Sequence, residues 1–226
     1  MLFFGYICIR FKIPMKKAYP FKAKTYCKMA MLLSFAFMGC SQKETRLPYL
    51  GNPIVEQNDT IYPKIADFKF TNQDKNSITN KTFANKIYVA DFIFLSCPTI
   101  CPKMTSELKS VYEVYKANPD VSFLSHTIDP ENDTVERLKL YTESMNIGPN
   151  WHFVTGNRED ILSIAEKSYF TTAYKDSKEP GGYVHGGGLM LIDENRHIRG
   201  VYDGTNSAEM QRLIADIKIL LKELKA

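Results

Sequence analysis

The sequence predicts an α/β fold in which a central mixed sheet is flanked by helices. Three observations predict it: strand-like and helix-like segments alternate from residue 87, a hairpin pattern follows near residue 195, and one amphipathic helix closes the chain. That order is typical of a sheet covered by helices. The chain has 226 residues, of which 44% are hydrophobic and 24% charged. This is enough for one well-buried domain plus a leader.

The first strong element is the apolar run IYVADFIFL at 87–95, which follows a polar, turn-rich lead-in at 71–86. A continuous run of β-branched and aromatic residues predicts a central strand that is buried on both faces. Pro102 then begins a helical pattern. Apolar residues recur at helical spacing at Met104, Leu108, Val111 and Tyr115.

The next strand is predicted at VSFLSHTI, residues 121–128. Asp133 and Glu136 have the spacing of a capping box, so we expect them to begin the following helix. The apolar face of that helix comprises Val135, Leu138, Tyr141 and Met145. A further strand is predicted at WHFVT, residues 151–155.

Asn157 is expected to cap a third helix. A hairpin about Glu194 and Asn195 is predicted next, with the strands GLMLID and HIRGVYDG. A closing helix is predicted from about Ser207 to Leu224. With a cysteine pair at the first strand-to-helix junction, this order predicts a thioredoxin-like fold.

Charge is unevenly distributed along the chain. The 29 basic residues exceed the 25 acidic ones, but residues 1–39 hold seven basic residues and no acid. Residues 40–226 therefore carry 22 basic and 25 acidic residues. The body has no basic surplus for binding nucleic acid, so we expect no nucleic-acid partner.

The leader has the order of a secretory signal: lysines, then the apolar run MAMLLSFAFMG, then Cys40. We expect a signal peptide at 1–39, in which 1–14 precede a second methionine and can be an over-long start. A cysteine directly after Gly39 is typical of a bacterial lipobox, although Phe37 stands where leucine is usual. The alternative is an uncleaved N-terminal anchor. Either way the chain is expected to face an extracytoplasmic compartment.

Cys40 is the expected lipidation site, and 40–60 the lipidated N-terminus and tether. The folded domain is then expected at 61–226, as a membrane-anchored lipoprotein that faces the periplasm. Only Cys97 and Cys101 remain in that domain, too few for a disulfide scaffold. Near a helix start, thiols gain partial positive charge and free N–H groups, which lower their pKa.

Thiolates attack disulfides and also bind metal, so these facts leave both chemistries open. Three residues separate Cys97 from Cys101, one more than in the usual oxidoreductase site. Two thiolates are soft ligands that select Cu(I), and an imidazole is the most plausible third ligand.

Four histidines are candidates for that third ligand. We expect His126 and His152 to be packing residues and His197 to face solvent. His185 differs because glycines crowd it in EPGGYVHGGGLMLID. Glycine permits close backbone approach and loop movement.

These segments carry a family resemblance over about residues 61–226. CPTICP, DPENDT, WHFVTG and VHGGGLMLIDENRHIRGVYDG resemble the Sco (SenC/PrrC) family of copper-handling, thioredoxin-like proteins. The resemblance implies that Cys97, Cys101 and His185 are copper ligands, and that a subunit of a respiratory oxidase receives the copper. The chain departs from the family at Thr99, where Asp is common, and around His185, where Asp-His-Ser/Thr is usual. Both departures alter groups around the ligands but remove none of them.

The sequence thus favours an extracytoplasmic copper metallochaperone that serves cytochrome c oxidase assembly. The main alternative is a membrane-tethered thiol-disulfide oxidoreductase, in which Cys97 attacks and Cys101 resolves. Its usual cis-proline is missing before the hairpin, and the two roles do not exclude each other. An inert disulfide in a binding module is a third interpretation, but so short a loop adds little stability. A peroxiredoxin-like peroxidase has less support, because its cysteine pattern is absent from the sequence.

Overall fold

The computed structural model describes residues 46–57, 59–178 and 182–225. The predicted signal peptide at 1–39 and the predicted lipid site Cys40 lie outside these residues, as does part of the glycine-rich segment before His185. Within the described ranges, no helix combines the length and apolar character that a membrane span needs.

Between residues 87 and 167, strands alternate with helices as the sequence predicts. The strands are β1 Ile54–Glu56, β2 Asp59–Ile61, β3 Lys69–Asn72, β4 Ser77–Thr79, β5 Ile87–Ile93, β6 Val121–Thr127, β7 Trp151–Thr155, β8 Ala173–Lys175, β9 Tyr183–His185, β10 Gly188–Ile192 and β11 Ile198–Asp203. The helices are α1 Ile100–Tyr115, α2 Val135–Ser144, α3 Arg158–Lys167 and α4 Ser207–Glu223, with a 3-10 turn at Asn80–Phe83.

Seven strands form one mixed sheet in the order β11-β10-β5-β6-β7-β3-β4. The central strands β5, β6 and β7 are parallel, and the flanking strands pair antiparallel. Every residue of β5 and β6 is buried, as continuous apolar runs require. The predicted α/β fold, thioredoxin-like with a central mixed sheet flanked by helices, is confirmed.

Helices cover both faces of the sheet. On one face, Tyr112 of α1 packs at 5.2 Å from Trp151, and Tyr141 of α2 packs at 5.7 Å from Phe153. Helix α4 joins this layer, because the Tyr115 hydroxyl donates to the Ile214 carbonyl. Tyr169, after α3, packs on the other face against Phe92 and His126.

Three local predictions need correction. The lead-in before β5 is not plain turn, because it contains β3, β4 and the 3-10 turn. Helix α1 begins at Ile100, so Pro102 lies within its first turn. Asp133 does not cap α2: the Thr134 hydroxyl accepts from the Arg137 N–H, while the Asp133 carboxylate is buried.

The segment predicted as a tether partly belongs to the domain. The Leu50 N–H donates to the Ile198 carbonyl, and the buried Arg199 donates to the carbonyls of Leu47 and Pro48. This segment lies near the β10–β11 turn, the end of the sheet where β5 begins. The compact unit accordingly extends upstream of residue 61.

Candidate metal centre

The two cysteines and His185 meet at the end of the sheet where β5 finishes. Cys97 lies in the turn after β5, in which its N–H donates to the Phe94 carbonyl, and Cys101 lies in the first turn of α1. Cys97 therefore precedes the helix, whereas Cys101 lies within it. His185 ends β9, three residues before β10, whose antiparallel pairing with β5 brings its start to this same end.

One sulfur or nitrogen atom from each of Cys97, Cys101 and His185 lies within 4.8 Å of the other two. The His185 Nε2 is 2.9 Å from the Cys101 Sγ. Both thiols are free, and 6% of Cys97 and 5% of Cys101 is exposed. The structure thus brings together the three residues that the sequence singled out.

The surroundings of the three side chains are unequal. A pocket of about 140 Å³ is lined by Cys97 and His185, with Phe94, Thr99, Ile100, Tyr183 and Val184 around them. Cys101 lies behind this pocket, next to the His185 ring. A reagent or partner that enters the pocket therefore meets Cys97 and the imidazole first.

The two thiols have opposite pKa shifts. Burial acts to raise the pKa of Cys97, but hydrogen bonds from the backbone N–H groups of Cys101 and Thr99 outweigh it, and the net pKa is lowered. The Thr99 hydroxyl, 3.6 Å from the Cys97 Sγ, acts in the same direction. Burial raises the pKa of Cys101, and the neighbouring Cys97 raises it further. The expectation that the helix start activates both thiols is therefore wrong for Cys101.

The His185 ring is held in one tautomer. Its Nδ1 is 3.2 Å from the Gly186 carbonyl oxygen, which can only accept, so Nδ1 carries the proton. The Nε2 lone pair then points at the Cys101 thiol. Burial lowers the pKa of His185, which keeps the ring neutral and able to bind a metal.

The residue after His185 is closely packed. A Cβ at Gly186 would lie 2.7 Å from the Thr171 Oγ1, so a larger residue would require the Thr171 side chain to move. This close approach explains one of the glycines that made His185 conspicuous in the sequence.

Two sulfurs and one neutral imidazole nitrogen form a soft donor set, which suits copper. Cys97 supplies a thiolate most readily, whereas Cys101 has to lose a proton before it can act as an anionic ligand. The residues present therefore fit a copper ion, and loading it releases protons.

The turn that carries Cys97 is held by a residue whose role the sequence did not reveal. The Asp133 carboxylate accepts hydrogen bonds from the Leu95 N–H at 3.0 Å and from the Thr127 hydroxyl at 2.6 Å. Arg137 donates to the same carboxylate and to the Ser96 hydroxyl. Asp133 belongs to the DPENDT motif. Its spacing from Glu136 predicted a helix cap, so the sequence did not indicate this contact with the cysteine turn.

The other histidines lie away from this cluster. His126 is buried and stacks on Phe92 at 4.7 Å, and His152 is largely buried with its Nδ1 3.2 Å from the Asn72 amide nitrogen. Both are packing residues, as predicted. His197 is not a free surface residue, because its Nδ1 donates to the Pro63 carbonyl and its ring packs against Tyr49.

Several solved structures share this fold. A SCO1/SenC family lipoprotein from Bacillus anthracis str. Ames is 30% identical, with a TM-score of 0.66 over 76% of this chain and 99% of that one. BsSco, described as a member of the Sco family of cytochrome c oxidase assembly proteins with a disulfide switch, is 27% identical, with a TM-score of 0.64 over 78% and 98%.

A third solved structure, ScoI of Bradyrhizobium japonicum with copper bound, has a TM-score of 0.59 over 69% of this chain and 98% of that one. At 23% identity it supports the fold alone. The family model SCO1/SenC matches residues 57–222, most of the chain. The chain belongs to the SCO1/SenC family.

Proposed function

We propose that this protein is a copper metallochaperone that binds one copper ion through Cys97, Cys101 and His185. The observation that supports this most directly is the convergence of the three donor atoms within 4.8 Å at one end of the sheet. The soft character of two sulfurs and one neutral imidazole nitrogen, which suits copper, adds support.

The recipient in this proposal is the copper-receiving subunit of a respiratory oxidase. The description of BsSco as a cytochrome c oxidase assembly protein supports it. Cys97 and His185 line the pocket, so a partner's thiolates can replace them as ligands while the buried Cys101 is displaced last. Because soft sulfur ligands suit Cu(I) on both sides, such an exchange needs no large change in ligand type.

The proposal includes an extracytoplasmic location, with Cys40 lipidated and the protein anchored to the membrane facing the periplasm. The lipobox-like order of the leader supports it, as does the lipoprotein relative from Bacillus anthracis. Mass spectrometry of the protein from membranes tests it: a diacylglyceryl group on Cys40 is expected, and an unmodified N-terminus at Met1 or Met15 would contradict it.

Copper binding is tested by titrating the reduced protein with Cu(I) and Cu(II) beside Cys97→Ser, Cys101→Ser and His185→Ala. We expect one copper per chain, with affinity weakened at least about tenfold in each variant for the oxidation state that uses the lost ligand. Full copper binding in all three variants would overturn the proposed site.

Thiol-disulfide exchange is a second candidate, favoured by the split in cysteine pKa. A pocket-lining thiol of lowered pKa beside a buried one of raised pKa is the arrangement of an attacking and a resolving thiol. Reduction of a partner disulfide that needs both cysteines but tolerates His185→Ala would support this role.

A further inference from the structure

The strand that carries His185 is not part of the main sheet. Strand β9 has three residues and pairs with β8 in a separate two-stranded sheet, in which Ala173 lies opposite His185. The seven-stranded sheet therefore does not by itself fix the imidazole. Something else has to hold β9 against the end of β5.

Tyr183, two residues before His185, makes that connection. Residues i and i+2 of a strand share a face, and both rings pack on Phe94, at 5.4 Å for Tyr183 and 5.6 Å for His185. The Tyr183 hydroxyl donates to the Asp129 Oδ1 at 2.9 Å and accepts from the Arg158 Nη2 at 2.9 Å.

Asp129 is a firm attachment point for this bond. Asp129 is 2% exposed, and the second oxygen of its carboxylate accepts from the Asn132 amide at 2.8 Å. Its N–H donates to the Thr127 hydroxyl oxygen at the end of β6, and the preceding Ile128 N–H donates to the Ile93 carbonyl of β5. Asp129 is thus tied to the two central strands.

The DPENDT motif therefore holds both sides of the metal centre. Asp133 anchors the turn before Cys97, and Asp129 anchors β9 through Tyr183. Neither carboxylate is among the three grouped donors. Their shared position after β6 couples the cysteine turn to the histidine strand.

We infer that Tyr183 is a positioning residue, whose hydroxyl bond to Asp129 sets the distance between His185 and the two cysteines. This inference rests on the proposed function. Two thiolates satisfy Cu(I), whereas Cu(II) depends more on the imidazole nitrogen. Loss of the bond then weakens the binding of Cu(II) more than that of Cu(I).

Tyr183→Phe is the test variant, because it removes the hydroxyl and keeps the packed ring. Tyr174→Phe is the matched control: it makes the same change on β8, where the tyrosine is 47% exposed and its hydroxyl bonds no described residue. Two quantities are measured in the full-length protein: the Cu(II) and Cu(I) affinities, and amide hydrogen exchange at residues 183–187 without copper.

For Tyr183→Phe we expect Cu(II) affinity to fall by at least about tenfold, the range seen when a group that orients a ligand is removed. Cu(I) affinity should change by less than about threefold, and exchange at 183–187 should accelerate by about tenfold. Tyr174→Phe should match the wild type in every measurement.

The inference would be overturned if Tyr183→Phe kept the wild-type hydrogen-exchange rates at 183–187 and the wild-type Cu(II) affinity. Equal losses of Cu(I) and Cu(II) affinity would also overturn it. Failure of the proposed function is distinguishable. If His185→Ala binds copper as the wild type does, the copper site is wrong, while the exchange result still decides whether Tyr183 holds β9.

Discussion

The Nε2 of His185 lies 2.9 Å from the Sγ of Cys101, although the two residues are 84 positions apart in the chain. The neutral ring accepts from the thiol, so the thiol proton lies between two atoms that would both donate to a metal ion. The contact keeps both donors buried and paired in the metal-free protein.

The unequal thiol pKa values predict unequal reactivity. With iodoacetamide at about pH 7, Cys97 should be alkylated at least about tenfold faster than Cys101, because alkylation needs a thiolate that the reagent can reach, and Cys97 lines the pocket and has the lower pKa. Peptide mass spectrometry over a time course measures both rates. Thr99→Val should slow Cys97 by removing one hydrogen-bonding group near its sulfur. Equal rates for the two cysteines would contradict the assignment of inner and outer thiols.

Asp133→Ala should destabilise the fold by about 3 kcal/mol, because it leaves the Leu95 N–H and the Thr127 hydroxyl without a buried acceptor. Urea unfolding of the metal-free protein measures this loss. The control is Glu136→Gln, whose ion pair with Lys75 is exposed and should contribute less than about 0.5 kcal/mol. Similar midpoints for both variants would show that Asp133 does not hold the cysteine turn.

Asp91→Asn should change how stability depends on pH. Asp91 is 1% exposed on β5, and its carboxylate makes no hydrogen bond of normal geometry with any described residue. Burial raises its pKa from 3.8 to about 7, with the Ser125 hydroxyl opposing the shift only in part. Between about pH 4 and pH 7 the folded state thus binds more protons than the unfolded state, and this group's contribution to stability falls as pH rises.

The asparagine variant lacks this titration, so its stability relative to the wild type should rise by up to about 4 kcal/mol from about pH 4 to about pH 8. Urea unfolding at both values measures the difference. Burial lowers the pKa of His126 to about 4, so this residue makes the fold less stable as pH falls, the opposite trend to Asp91. His126 is present in both proteins, so its effect cancels in the comparison. A difference that is independent of pH would contradict the raised pKa.

Arg199→Met should destabilise the domain by about 3 kcal/mol, because it leaves the buried Asp193 carboxylate without its 3.0 Å partner and removes a 2.8 Å contact to Glu223. It should also loosen the segment at 47–50, which hydrogen exchange at the Leu47 and Leu50 amides reports. Arg196→Met is the control, since its partner Asp67 is 91% exposed. Unchanged exchange at both amides would show that Arg199 does not secure this segment.

Local sequence patterns predicted most of the fold. The uninterrupted apolar run of β5 and the helical spacing in α1 and α4 depend on neighbouring residues, so periodicity revealed them. Short strands were missed: β3 and β4 have four and three residues, and the structure pairs β3 with both β4 and β7. Such short segments show too little periodicity to be recognised. The role of Asp133 was missed because an aspartate just before a helix has the same sequence pattern whether it caps the helix or, as here, accepts hydrogen bonds from the cysteine turn.

The sequence by itself determined the order of the elements and the presence of a soft donor pair at the first strand-to-helix junction, because both are written in adjacent residues. Only the tertiary structure decided which histidine meets that pair, which thiol faces the pocket, and which carboxylates hold the two ligand segments. Those outcomes depend on strand order and on the burial of residues that lie far apart in the chain. Local periodicity in the sequence indicates neither of them.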